Sequence, residues 1–128
     1  MRHILVIGAG RSATNLINYL AEKATDQQLE ITVADLSLEA ANKNIQGMAH
    51  TRGIALDVND ADQRQSLIQS HDLVISMLPA HMHLEVAKDC LTYGKHMVTA
   101  SYVSPAMEEL DQEVRAKNLI FMNECGLE

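Results

Sequence analysis

Aromatic side chains are almost missing from this chain, which has no Trp, one Phe and three Tyr. A close-packed interior must then be assembled from Leu, Ile, Val, Ala and Met, with the seven Met residues as gap-fillers. Basic charge is also scarce. The formal net charge is −7 and no cluster of Lys or Arg occurs, which argues against the positive footprint that nucleic-acid binding needs. No apolar run approaches membrane-spanning length, and Gly8 and Gly10 interrupt the N-terminal apolar stretch before a signal-peptide core could form. Cysteine is limited to Cys90 and Cys125, far apart and in no CxxC pattern, which reads as two reduced thiols in a cytoplasmic protein. Also missing are a Gly-x-Ser-x-Gly elbow, a Gly-Lys-Ser/Thr phosphate loop and an acid pair in glycosidase-like context.

What is present is an alternation of apolar, β-rich runs with amphipathic helical segments. At 128 residues the chain is one domain, residues 1–128, and 47% hydrophobic with 21% charged residues is ordinary for an α/β interior. The pattern predicts a strand over His3–Ile7 and a helix over Arg11–Ala24 with Leu16, Ile17 and Leu20 on one face. A strand over Glu30–Ala34 follows, then a helix over Leu38–Met48 capped by Ser37, and a short strand over Gly53–Leu56. A helix over Asp62–Gln69 turns Leu67 and Ile68 inward. Asp72–Leu78 is nearly all apolar, as a strand buried on both faces should be. A helix over Met82–Tyr93 stopped by Gly94, a strand over Lys95–Thr99, a helix opened by Ser104-Pro105 and a strand over Leu119–Met122 complete the series. Six strands joined by helical crossovers predict a Rossmann-type doubly wound parallel sheet in the order 3-2-1-4-5-6.

The candidate site begins where the first strand ends, at Gly8-Ala9-Gly10-Arg11-Ser12-Ala13. In this Gly-x-Gly-x-x-Ala turn Gly8 supplies the sharp exit and Gly10 lets a pyrophosphate approach the backbone. Ala13 brings the helix close to the sheet, and the helix N-terminus attracts phosphate. Arg11 and Ser12 are within reach of the same phosphates. Asp35 ends the second strand where the adenosine ribose belongs, followed by Leu36. A carboxylate there accepts the ribose hydroxyls and repels a 2′-phosphate, so the expected cofactor is NAD in preference to NADP. Asp57 and Val58 end the third strand beside the adenine position. Met77, Leu78 and Pro79 end the fourth at the topological switch point, on the path toward the nicotinamide. Thr99-Ala100-Ser101-Tyr102 ends the fifth strand at the same edge. His81-x-His83 has half the spacing of a metal site, but residues two apart do not share a helix face, so no metal is expected. Cys90 reads as a small buried hydrophobe.

Four stretches together resemble the saccharopine dehydrogenase family of the glutamate-forming type. They are Val6-Ile7-Gly8-Ala9-Gly10-Arg11, Asp72-Leu73-Val74-Ile75-Ser76-Met77-Leu78-Pro79, Val98-Thr99-Ala100-Ser101-Tyr102-Val103-Ser104-Pro105 and Phe121-Met122-Asn123-Glu124-Cys125-Gly126-Leu127. The Ser-Tyr and Asn-Glu-x-Gly-Leu segments are the specific ones. The resemblance implies a nicotinamide-dependent oxidoreductase acting on a secondary amine, converting saccharopine and water to glutamate and 2-aminoadipate semialdehyde, or the reverse. It implies a cofactor contact at Met77 to Pro79 and a substrate-facing wall at Ser101 and Tyr102. It further implies a longer two-domain enzyme, a candidate homodimer, of which this chain is the N-terminal portion. The catalytic groups are expected elsewhere, and the isolated portion is expected to be inactive. Fungal members of the family use NADP, and Asp35 departs from them. A carboxynorspermidine- or homospermidine-forming oxidoreductase and a nucleotide-sensing regulatory domain are the alternatives on the same scaffold.

Overall fold

A parallel strand covered by helices on both faces must be apolar on both, and β1 (Arg2–Ile7) meets that demand. Ile4 and Val6 point into one core, Leu5 and Ile7 into the other, following the period of two along a strand. The computed structural model describes residues 2–10, 13–78, 82–99, 116–117 and 121–122. Along them β1 is followed by α1 (Thr14–Lys23), β2 (Leu29–Asp35), α2 (Leu38–Asn42), β3 (Thr51–Ala55) and α3 (Ala61–Gln69). Then come β4 (Leu73–Ser76), α4 (His83–Tyr93), β5 (His96–Thr99) and the two-residue β6 (Phe121–Met122). The strands pair in parallel in the order β3-β2-β1-β4-β5-β6. The helix expected after Ser104-Pro105 falls outside the described residues.

Two aliphatic layers sandwich the sheet. On one face Ile17 and Ala21 of α1 and Ala41 of α2 pack on Ile4, Val6, Ile31 and Val33. On the other, Ile68 of α3 and Val86, Ala87 and Cys90 of α4 pack on Leu5, Ile7, Ala34 and Val74. Cys90 is fully buried, and burial foremost pushes its thiol up to about 12, so it is an inert core residue. Gly94 ends α4 in the left-handed conformation at φ +69°.

The second helix is shorter than its apolar pattern suggests. Ser37 caps it, accepting from Ala40 N at 3.2 Å, but α2 stops at Asn42. Ile45 and Met48 still reach the core, through tighter i→i+3 turns at Asn42–Ile45 and Ile45–Met48. Asn42 and Asn44 favour this, and Gly47 follows at φ +76°. The close approach of β3 adds a constraint, because a Cβ at Gly53 would run into the Asn42 side chain.

One exposed cap and two buried polar contacts fix the helices on the second face. Asp60 caps α3 by accepting from Gln63 N at 3.2 Å. Arg64 of α3 donates through Nε to Oδ2 of Asp89 in α4, both side chains being 8% exposed. His71 links the end of α3 to the sheet. Its Nδ1 lies 2.7 Å from the Leu67 carbonyl, which only accepts, so Nδ1 carries the proton. Nε2 then accepts from Thr32 Oγ1 at 2.8 Å.

Two stability predictions follow from these buried groups. Asp89→Ala leaves the Arg64 guanidinium without its counter-charge and should cost about 3–5 kcal/mol in a denaturant titration. A loss under about 1 kcal/mol would mean water replaces the carboxylate freely. The second concerns pH. Burial foremost holds His71 and His83 below the ordinary value of 6.5. A folded-state pKa below the unfolded one gives stability that is intact above about pH 6.5 and lost as the unfolded chain takes up protons below it. Melting temperature should therefore be level above about pH 7 and fall toward about pH 5.5, at no more than about 1.4 kcal/mol per pH unit for each ring. His71→Gln with His83→Gln should flatten that fall, and an unchanged slope in the double variant would locate the acid sensitivity elsewhere.

Candidate functional site

The carboxyl ends of β1, β2 and β4 converge on the glycine turn. Gly8 leaves β1 at φ +100°, and a Cβ there would stand 3.1 Å from the carbonyl carbon and oxygen of Met77. Glycine is thus required twice, by conformation and by room. The ladders continue through the turn, with Gly8 N donating to Ala34 O and Met77 N to Ile7 O, both at 2.8 Å. Gly10 differs: it is exposed, and a Cβ on it would meet nothing within 4 Å. The space beside it is open to a ligand. Ala13 is buried against the first core, so α1 lies close on the sheet. Among the described residues no side chain caps α1 and no acid occupies its first turn, so the partial positive charge of this end faces the turn. Arg11 and Ser12 lie outside the described residues.

Asp35 stands at the end of β2 facing this turn. Its Oδ1 accepts from Ala9 N and its Oδ2 from Ser37 N, each at 3.0 Å. The carboxylate is a strut between the turn and the loop that opens α2. Beyond it the main chain of the β3–α3 loop is drawn in by Leu56 N donating to Asp35 O at 2.8 Å. Asp57 Oδ1 accepts from Asn59 N at 2.9 Å, and Arg64 reaches from α3 to donate to the Val58 carbonyl at 2.8 Å.

Between these segments is a cleft of about 250 Å³. Gly8, Asp35, Leu36, Asp57, Val58 and Leu78 of the residues singled out in the sequence line it together. Ile7, Ala34, Leu56, Asn59 and Met82 line it too and were not singled out, although the first three are strand-end residues one position from those that were. Gly10, Ala13 and Met77 border the turn without lining the cleft. Leu36 is 76% exposed, an apolar side chain held at the rim. On the β4 side, Ser76 Oγ lies 2.7 Å from Nδ1 of His83, both buried, which anchors the start of α4 next to the switch point. Pro79, Ser101, Tyr102, His81 and Cys125 lie outside the described residues.

A larger depression of about 700 Å³ lies at the opposite, amino-terminal end of the sheet, lined by His3, Glu30, Thr32, His50, Arg52 and His71 among others. Its polar groups largely satisfy one another. Glu30 pairs with His50 at 2.8 Å, and Thr32 Oγ1 meets both Arg52 Nε and His71 Nε2. In an open parallel sheet ligands bind outside the carboxyl ends of the strands, so the smaller cleft is the candidate site. Among the described residues no group of three His, Cys, Asp or Glu side chains could hold a metal.

Arg64, Asp89 and His83 were not legible as contributors to the site. Arg64 precedes Ile68 by one helical turn, so it shares the inward face of α3, and that spacing is the signal that could have found it.

The cleft suits a dinucleotide: a glycine turn with open space at Gly10, an uncapped helix end beside it, and apolar walls at Leu36, Leu56, Val58 and Leu78. Residues 4–122 match the family model of the saccharopine dehydrogenase NADP binding domain. The chain is 40% identical over 127 residues to the saccharopine dehydrogenase (NADP(+), L-glutamate-forming) of Pyricularia oryzae, covering 99% of this chain and 27% of that protein. The Schizosaccharomyces pombe protein of the same name is 38% identical over 128 residues, covering 100% and 28%. The solved apo saccharopine dehydrogenase (L-Glu forming) of Saccharomyces cerevisiae superposes with a TM-score of 0.86 at 31% identity, over 98% of this chain and 27% of that one. The chain spans about a quarter of the length of these relatives.

These likenesses overturn the expected preference for NAD, since the family model and both fungal relatives are named for NADP. The expectation treated Asp35 as a free carboxylate aimed at a ribose. Each of its oxygens instead accepts a main-chain N–H of the site itself, so the carboxylate has a structural role that accounts for an acid at this position whichever nucleotide is bound. The cation that such a phosphate wants is not among the described lining residues, and Arg11 falls outside them. With 119 consecutive positions, residues 4–122, matching one model, the chain belongs to the saccharopine dehydrogenase NADP-binding domain family.

Proposed function

We propose that this chain is the cofactor-binding part of an NADP-dependent oxidoreductase of the saccharopine dehydrogenase type. The observation that carries the reading is the cleft at the carboxyl ends of β1 to β4, lined by Gly8 and adjoined by the open space beside Gly10. The amides of the turn and the first turn of α1 would hold the pyrophosphate, with Arg11, Ser12 and Ala13 beside it. Asp35 and Leu36 would border the adenosine ribose, Asp57 and Val58 the adenine. Met77, Leu78 and Pro79 would line the way to the nicotinamide ring.

When bound, the cofactor supplies a hydride acceptor, or a donor in the reverse direction. The chain's own share would be to hold and orient the dinucleotide at the carboxyl ends of β1 to β4. Ser101 and Tyr102, next in sequence after β5, are assigned to the substrate-facing wall. The names of the relatives support saccharopine as substrate, cleaved at the C–N bond of its secondary amine to release L-glutamate. Because the chain spans about a quarter of those relatives, it should bind cofactor without turning substrate over.

Two glycine variants separate fold from binding. Gly10→Ala points a methyl into open space and should leave the melting temperature within about 2 °C of the parent while weakening NADPH by about tenfold or more in calorimetric titration. Gly8→Ala forces φ +100° on a residue with a Cβ and crowds Met77, so it should lose about 1–3 kcal/mol of stability. A parent chain that binds no NADPH, or a Gly10→Ala variant that binds as well as the parent, would sink the reading.

A further inference from the structure

The adenine side of the cleft has an unusual support. The β3–α3 loop is short, with Leu56 buried in the second core at its start and Asp57, Asn59 and Asp60 exposed beyond it. Val58, half-buried, lines the cleft between these exposed positions. The Val58 carbonyl is fixed by Arg64, whose NH1 donates to it at 2.8 Å. Arg64 in turn is aimed by Asp89, one turn from the end of α4. Asp89 accepts from Arg64 Nε through one oxygen and from Gln65 Nε2 at 3.3 Å through the other. Tyr93 then donates to Gln65 Oε1 at 3.4 Å. The same helix begins beside Met82, which lines the cleft, and is tied to β4 through His83 and Ser76.

We propose that the buried Arg64–Asp89 pair positions the adenine-side wall of the cleft and so sets affinity for the adenosine half of the dinucleotide. This rests on the nucleotide-binding reading above. A buried pair is a poor source of net stability, since apolar residues of similar volume do as well. Its distinctive property is direction. The planar guanidinium presents several donors at fixed angles, so one side chain serves the Asp89 carboxylate and the Val58 carbonyl at once. The peptide plane at Val58 is thereby set by α4 rather than by the exposed loop, and the Val58 side chain is turned to the cleft before any ligand arrives. A lysine could meet the carboxylate but, as a point charge on a flexible stem, would not hold both acceptors in one geometry. Arg64 does not line the cleft in this arrangement and acts through Val58.

The test uses the full chain, with 2′,5′-ADP as the probe of the adenosine half and NADPH as the reference ligand. Arg64→Met combined with Asp89→Leu removes the pair without stranding a charge. The double variant should melt close to the parent, bind 2′,5′-ADP about tenfold more weakly, and exchange the Asn59 and Asp60 amides faster while the strand amides keep their protection. Arg64→Lys should fold and fall between the two, and it carries the test if the double variant does not fold. Parent-like 2′,5′-ADP affinity in a folded variant would overturn the positioning role, as would faster exchange spread evenly over the whole chain. A parent chain that binds neither 2′,5′-ADP nor NADPH would overturn the nucleotide reading, and this inference with it. Parent binding with unaffected variants removes this inference alone.

Discussion

At Gly8 the main chains of β1 and β4 come so close that a single added carbon would stand 3.1 Å from the Met77 carbonyl. The site depends on this contact. Hydrogen bonds from Gly8 to β2 and from Met77 to β1 carry both ladders past the last strand residues. The glycine turn, Asp35 and Leu78 therefore reach the same edge in fixed register, on either side of the point where the sheet order reverses. The crevice outside these strand ends, at the point where the order reverses, is where an open parallel sheet binds a dinucleotide.

The two kinds of contact in the fold divide the labour of holding that crevice. Apolar packing attaches the helices to the sheet, but it is non-directional and tolerates rotation of a helix about its axis. Orientation comes from a few buried polar contacts, because hydrogen bonds weaken steeply with angle. On the adenine side Arg64 reaches from α3 to Asp89 and Val58. On the β4 side His83 reaches from α4 to Ser76. Both contacts involve α4, so this helix references one wall of the cleft to the other.

How far the sequence carries depends on whether a feature is local. The inner strands are legible because burial on both faces demands an unbroken apolar run, as in Leu73–Ile75 and Ile4–Ile7. The caps at Ser37 and the left-handed Gly94 are legible because their chemistry is settled within four residues. The length of α2 is not. Ile45 and Met48 keep a helical spacing to Leu38 and Ala41, yet they reach the core by i→i+3 turns, beside a β3 that passes so close that a Cβ at Gly53 would meet the Asn42 side chain. The Arg64–Asp89 pair is illegible for a different reason. A charged residue in an amphipathic helix is ordinarily solvated, and its partner 25 positions away is chosen by the packing of α3 on α4, which no local pattern encodes.

Asp35 shows the same limit inside the fingerprint itself. It ends β2 as expected, but the sequence does not show what its carboxylate holds in the fold. Here one oxygen holds the Ala9 amide and the other the Ser37 amide, which draws the glycine turn toward the α2 loop. Removing the side chain would free two main-chain donors at the edge of the cleft as well as deleting a negative charge. These changes favour a phosphate for separate reasons, one geometric and one electrostatic. A substitution at this position therefore reshapes the turn and alters its charge together. The two effects separate in Asp35→Asn, whose amide oxygen can keep one of the two acceptor contacts while the charge is gone.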